Sequence, residues 1–316
     1  MQAYEKTNST LSDFASIGIY ERYIISLIFS FIFFRGITYL SRWYFFKSFL
    51  FDWDEVSHSQ NNDTPFGHIP VHKKWRISNE YISLIHALIC SVWTIYLTIK
   101  LSRGDDIFEL SFYPEMGYML MMIFGYVIND SIDMLANEQS PRVYALIFHH
   151  IMVSIGCLYP IYFQHFGGIA VIAFLMEVNS IFLHTRSLLN YSGYSKSKLG
   201  FKMLAFVNLL TFILFRCIPN CYLIIFIVLI AKNVPWWEVL IISFVSCGLL
   251  IINSILFYKL LVADNFITCK KREFRDIENQ SLIEGNNTLS LPTTPYFTAP
   301  TSPDVATIGT QTETFN

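Results

Sequence analysis

The sequence has few charged residues, no long basic segment and no paired cysteine motif. Charged residues make up 15% of its 316 positions, against about a quarter in soluble domains, while hydrophobic residues make up 53%. With a net charge of −2 and no basic stripe, no nucleic-acid partner is expected. The six cysteines form no CxxC pair, so neither a disulfide framework nor a metal site is predicted. The composition instead predicts a protein embedded in a membrane.

Long apolar segments supply the predicted fold. A helix needs roughly 20 mainly apolar residues to cross a hydrocarbon core of about 30 Å. The sixth apolar segment contains Pro219, whose ring must kink or end a helix, so it counts as one bent helix or as two. The sequence therefore predicts an all-α, polytopic transmembrane bundle of about seven spans, at 23–40, 81–101, 116–132, 143–163, 168–189, 203–230 and 236–261.

The distribution of basic residues predicts the orientation of the spans. Most Lys and Arg of the loops fall in the first, third and fifth loops and at the start of the tail, which places these segments in the cytosol. Residues 1–22 are then extracellular, and Asn8, in the sequon Asn-Ser-Thr, is a possible glycosylation site. Residues 23–74 form the first span and a cytosolic loop, and residues 75–262 hold the other spans. Residues 263–316, rich in Ser, Thr, Asn and Pro, predict a disordered cytosolic tail.

Ionisable residues inside the spans are the candidate functional residues, because each is costly in lipid unless it faces a partner or a cavity. Asp130 and Asp133 are three residues apart and share one helix face, whereas the adjacent His149 and His150 cannot both point to the bundle centre. We expect spans three to six to surround a lipid-sized cavity in which acids and bases neutralise each other. Its predicted polar lining is Asp130, Asp133, His149, His150, Glu177, Asn179, His184 and Arg216. Alternatively, these groups are hydrogen-bonding contacts between helices.

The order of these motifs resembles the TLC domain family. An acid pair ends one span, His149 and His150 open the next, and MEVNSIFLHTR is followed by Arg216 just before a proline. The family includes translocating-chain-associating membrane proteins, longevity-assurance proteins and a ceroid lipofuscinosis protein. The similarity extends over about residues 75–262 and is greatest to the short TLC-domain-containing proteins one and two.

That branch implies control of phospholipid acyl composition and fluidity at the plasma membrane, limiting the incorporation of long polyunsaturated chains. Membrane phospholipids or fatty acyl chains are the implied partners, with no cofactor. No KDEL-type signal occurs at the C-terminus, which favours the plasma membrane over the endoplasmic reticulum.

Another branch, the ceramide synthases, implies acyl transfer from acyl-CoA with His149 and His150 as catalytic residues. The next span here carries Glu177 and Asn179 in place of that branch's acidic cluster. A third hypothesis is a non-catalytic, channel-associated or chaperone-like membrane protein. An iron-dependent desaturase is disfavoured, since it needs about eight histidines in closely spaced boxes and only His68 with His72 and the His-His pair are clustered.

Overall fold

The protein is all-α in a computed structural model that describes residues 2–46, 71–103 and 110–264, with backbone alone for 2–17, 71–73 and 142. These ranges contain no strand. The helices are α1 Gln2–Phe46, α2 Val71–Leu101, α3 Pro114–Asn137, α4 Pro141–Phe163, α5 Gly167–Phe174, α6 Met176–Tyr191, α7 Leu199–Phe212, α8 Ile218–Ile230 and α9 Trp236–Ala263, with a π-helical turn, Ile213–Cys217, between α7 and α8.

The described chain contains seven segments long and apolar enough to cross a membrane, which confirms the predicted polytopic bundle. α1 begins well before its apolar part, so its helix includes the polar segment predicted to be extracellular. Asn8 lies in that part of α1, where only the backbone is described, and its glycosylation stays a prediction. His68 and the predicted tail from residue 265 onward lie outside the described residues.

The sixth span changes its winding next to Pro219, as the sequence predicts. α7 ends at Phe212, the π turn follows, and α8 resumes at Ile218. Proline has no N–H, and in a regular helix its ring collides with the carbonyl four residues earlier. The wider turn just before Pro219 accommodates the ring, and this turn carries Arg216.

The fifth span consists of two helices, α5 and α6, whereas the sequence predicts one continuous segment over 168–189. At the junction, the Leu175 N–H donates to the Ile172 carbonyl (3.2 Å) and the Val178 N–H to the Leu175 carbonyl (3.1 Å). Both bonds join residues three apart, so the chain turns more tightly there than an α-helix does. Neither proline nor glycine marks this turn, and the sequence therefore carries no local signal for it.

α3 lies at the centre of the core and packs closely against α1. In the most apolar stretch of α3, 67% of the residues are buried, compared with 22% of the residues in that of α1. A Cβ at Gly125 would lie 2.7 Å from the Ser30 side chain, so glycine permits the close approach of the two helices. There the Ser30 hydroxyl donates to the Met122 carbonyl (2.7 Å). The other face of α1 exposes large apolar side chains such as Phe29 and Ile32, as expected of a surface in contact with lipid.

Candidate functional site

Asp133 on α3 pairs with arginines of α1. Its carboxylate accepts a hydrogen bond from the Arg42 guanidinium, and Arg35 Nη1 lies 3.8 Å from Asp133 Oδ1. The Asp133 side chain is 4% exposed and that of Arg42 8%, so this is a buried ion pair. The expectation that Asp133 faces bases of spans four to six is therefore wrong, because the first span supplies its counter-ions.

Asp130 and His150 do meet across α3 and α4. His150 Nε2 lies 3.5 Å from Asp130 Oδ2, and its Nδ1 is 2.8 Å from the Ser131 hydroxyl oxygen. Both ring nitrogens thus face α3, and both Asp130 and His150 are buried. His149 is directed elsewhere: its Nδ1 is buried without a hydrogen-bond partner among the described residues. The two histidines therefore have different surroundings, as their adjacency in a helix requires.

Arg216 connects the π turn, in which it lies, to α6 and α9. Its Nη1 donates to Asn253 Oδ1 on α9 (2.7 Å) and its Nη2 to the Ser180 hydroxyl on α6 (2.8 Å). Its Nε and the Asn253 Nδ2 are buried without a hydrogen-bond partner in residues 18–46, 74–103 and 110–264. Within the part of the chain that the structure describes, no carboxylate, that of Glu177 included, lies within ion-pair distance of Arg216. A buried guanidinium with neutral hydrogen-bond partners is a favourable site for an additional acceptor.

Asn179 and His184 connect α6 to its neighbours. Asn179 Nδ2 donates to the Asn208 carbonyl and to Asn208 Oδ1, both at 3.0 Å, and it lies 3.1 Å from the Thr211 hydroxyl. His184 Nδ1 lies 2.8 Å from Glu80 Oε2 on α2. The partner of His184 therefore comes from the second span, not from spans three to six as the sequence analysis expects. Both residues serve as contacts between helices in this arrangement.

An apolar groove lies between α4, α5, α8 and α9. About 490 Å³ of space there is not filled by protein atoms, part of it open to the exterior. None of the residues predicted as polar cavity lining borders it. Small residues of α4 and α5 help to leave the space, and the complete lining is Ile155, Gly156, Tyr159, Pro160, Phe166, Ile169, Ala170, Ala173, Leu223, Ile241, Ile242, Val245, Ser246 and Leu249.

A family model of the TLC domain matches residues 76–262, more than half of the chain. This chain belongs to the TLC domain family. The resemblance that the sequence motifs indicate is thereby confirmed. TLC domain-containing protein 2 of Danio rerio is 28% identical over 203 residues, which cover 64% of this chain and 81% of the relative. Human TLC domain-containing protein 1 is 28% identical over 163 residues, 49% of this chain and 65% of the relative. The mouse TLC domain-containing protein 2 is 31% identical over 153 residues, covering 47% and 48%.

The TLC domain of this protein depends on a residue outside the matched region. The match begins at Arg76, in the first turns of α2, so α1 is not part of it. Nevertheless Arg42 of α1 supplies the counter-ion of Asp133 inside the domain. We expect the TLC domain to need α1 for its stability, since a buried carboxylate without a partner is strongly unfavourable.

Sequence reasoning missed several polar partners of the site, among them Arg42, Glu80, Asn253, and Ser180 as an acceptor. Asn253 is a polar residue in the long apolar segment of α9, which is the signal that could have indicated it, whereas Glu80 and Ser180 lie in segments with several other polar residues. Among the residues with described side chains, no three His, Cys, Asp or Glu are grouped so that they could hold a metal ion.

Proposed function

We propose that this protein regulates the acyl composition and fluidity of plasma-membrane phospholipids, limiting the incorporation of long polyunsaturated chains, and that it does so by binding acyl chains. Its N-terminus is proposed to be outside and its C-terminus in the cytosol. The observation that carries the proposal is the apolar groove, which has the chemistry to hold a hydrocarbon chain. Membership of the TLC domain family, with relatives among the TLC domain-containing proteins 1 and 2, supports it.

The groove-lining faces of α4 and α9 continue to the buried polar groups. On α4, His149 lies seven residues before the lining residue Gly156, two turns along the same face. On α9, Asn253 lies four residues after the lining residue Leu249. Asn253 accepts the hydrogen bond from Arg216. An acyl chain in the groove would therefore direct its polar end toward these three side chains.

The polar end of an acyl compound fits the groups at this end of the groove. Arg216 Nε and Asn253 Nδ2 are buried donors for which the described side chains and backbone provide no acceptor. A buried donor left without a partner costs about 1–3 kcal/mol, so a carbonyl oxygen that accepts from one of them is favoured there. The hydrocarbon chain and the carbonyl oxygen of a fatty acyl ester thus both find suitable surroundings.

Blocking the groove tests the proposal. A Cβ at Gly156 meets no heavy atom within 4 Å, so Gly156→Leu can extend into the groove without a backbone clash. Gly36 on the exposed side of α1 also has open space and does not line the groove, which makes Gly36→Leu the matched control. Both exchanges favour helix formation.

The measurement is the phospholipid acyl composition and membrane order of cells that lack the protein and then express each variant. We expect polyunsaturated content to rise on loss of the protein. The wild type and Gly36→Leu should restore it, and Gly156→Leu should not. Unchanged composition on loss of the protein, or full restoration by Gly156→Leu, would refute the proposal. If groove and histidine variants altered folding or partner binding but no lipid, the chaperone-like function would be favoured instead.

Acyl transfer is a second candidate, favoured by the environment of His150. Its ring lies between the Asp130 carboxylate and the Ser131 hydroxyl, an arrangement in which an acid orients a histidine that exchanges protons. The reaction would transfer the acyl group of acyl-CoA to an amine or hydroxyl and release the CoA thiol. Purified protein supplied with acyl-CoA and a lipid acceptor should then release CoA. His149→Ala and His150→Ala should each abolish release, and normal release by both would reject catalysis.

A further inference from the structure

We propose that Lys74 and the first turn of α2 bind the phosphate group of an anionic phospholipid, at a site separate from the groove and its polar end. Lys74 lies in the first turn of α2 and is 7% exposed. The proposal does not depend on the proposed function. It concerns a residue that the TLC domain match, which starts at residue 76, does not include.

Lys74 is a buried cation to which the described part of the chain supplies no anion. Its ammonium nitrogen lies 5.7 Å from the centre of the Phe46 ring, at the end of α1. In residues 18–46, 74–103 and 110–264, no carboxylate forms an ion pair or a hydrogen bond with it. A buried charge that has only an aromatic ring beside it is incompletely compensated, which favours binding of an anion.

The carboxylates described at this end of α1, α2 and α3 are already engaged by other cations. Asp133 pairs with Arg42. Glu138 accepts two hydrogen bonds from Arg76, at 2.8 and 2.6 Å. Turning to Lys74 would break the existing pair of either acid, so an anion from outside the described residues is the better match.

The backbone of α2 adds a second attraction for an anion at the same place. The first four N–H groups of a helix have no partner within it, and the helix dipole makes this end positive. Side chains of a helix lean toward its N-terminus, so the Lys74 ammonium is carried toward these amides. Phosphate is one of the anions that helix N-termini bind.

A lipid is the source of phosphate that this position favours. Lys74 lies near the start of α2, the second membrane-spanning helix, and Trp75 follows it. Lysine and tryptophan at the end of a span lie at the depth of the lipid headgroups. Anionic lipids attract basic residues there, and the charge distribution of the loops predicts this end to be cytosolic, where such lipids are abundant.

The test compares lipid binding by full-length variants. Wild type, Lys74→Gln, Lys74→Arg and Lys100→Gln are purified in detergent, and binding of phosphatidic acid and of phosphatidylcholine is measured by native mass spectrometry. Lys100 lies at the opposite end of the same helix and pairs with Glu115 (2.5 Å), so it is the matched control. Removing one charged hydrogen bond should weaken binding of phosphatidic acid about tenfold in Lys74→Gln. Lys74→Arg and Lys100→Gln should bind it nearly as well as the wild type.

Equal binding of phosphatidic acid by Lys74→Gln and Lys100→Gln would overturn the proposal, and so would a wild type that binds both lipids equally. Inorganic phosphate added in excess distinguishes the two sources: displacement of phosphatidic acid by low concentrations would assign the site to free phosphate and overturn the lipid. If Lys74→Gln does not fold, the thermal stability of the wild type is measured in the presence of each lipid, and this measurement tests the site. The site is supported if phosphatidic acid raises the melting temperature more than phosphatidylcholine does, and by the same amount in Lys74→Arg as in the wild type. Equal stabilisation by both lipids overturns it.

Discussion

Removing the carboxylate of Asp133 should destabilise the protein more than removing Arg42, although each exchange breaks the same hydrogen bond. Asp133→Asn leaves Arg42 buried and Arg35 without its nearest acid. Breaking a buried ion pair by removing one of its partners costs about 3–5 kcal/mol, and Asp133 is the acid that both arginines share. After Arg42→Gln, by contrast, Asp133 still has Arg35 at 3.8 Å, so the loss should be nearer that of one charged hydrogen bond, about 1.5–3 kcal/mol. The double variant should cost less than the sum, since it removes both members of the pair.

The assay is the free energy of unfolding of each detergent-purified variant, obtained by titration with a denaturing detergent. Lys100→Gln is the control: its ion pair with Glu115 is about half exposed, and such pairs contribute little to stability. An Arg42→Gln variant as unstable as Asp133→Asn would refute the asymmetry. A double variant that costs the full sum of both losses would refute the coupling.

Three further exchanges probe the packing of α3 and α6, each by the same titration. Gly125→Leu places a Cβ 2.7 Å from the Ser30 side chain and should separate α1 from α3; recovery of stable protein would contradict this close contact. Asn179→Leu should cost about 1–3 kcal/mol, because its buried partners on α7 lose their donor; a neutral effect would show that they find other partners. Tyr126→Phe removes the hydrogen bond to Ser83 (2.9 Å) and should cost about 0.5–1.5 kcal/mol; a larger loss would indicate a wider polar network.

Features that depend on consecutive residues could be predicted from the sequence. In lipid each span must satisfy its own backbone hydrogen bonds, so the length of an apolar segment is enough to indicate a helix. The change of winding beside Pro219 follows from the missing N–H of one residue. The turn at Leu175 could not be predicted, because no residue in it forbids a regular helix.

The candidate site was predicted in part, for a similar reason. Spacing along a helix correctly separates His149 from His150. It does not say which neighbouring helix a side chain meets: Asp130 and Asp133 are three residues apart, yet Asp130 meets α4 and Asp133 meets α1. Asp133 pairs with an arginine 91 residues earlier in the chain, and His184 with a glutamate 104 residues earlier.

The sequence by itself determined that this protein crosses a membrane as a bundle of apolar helices and that it belongs to the TLC domain family. Only the tertiary structure decided how the buried polar side chains are paired and where an apolar groove remains. The physical reason is that lipid imposes its requirement on each helix separately, through the backbone. The pairing of side chains depends on how closely whole helices approach one another, and Gly125 permits such an approach to Ser30, a residue far from it in the chain.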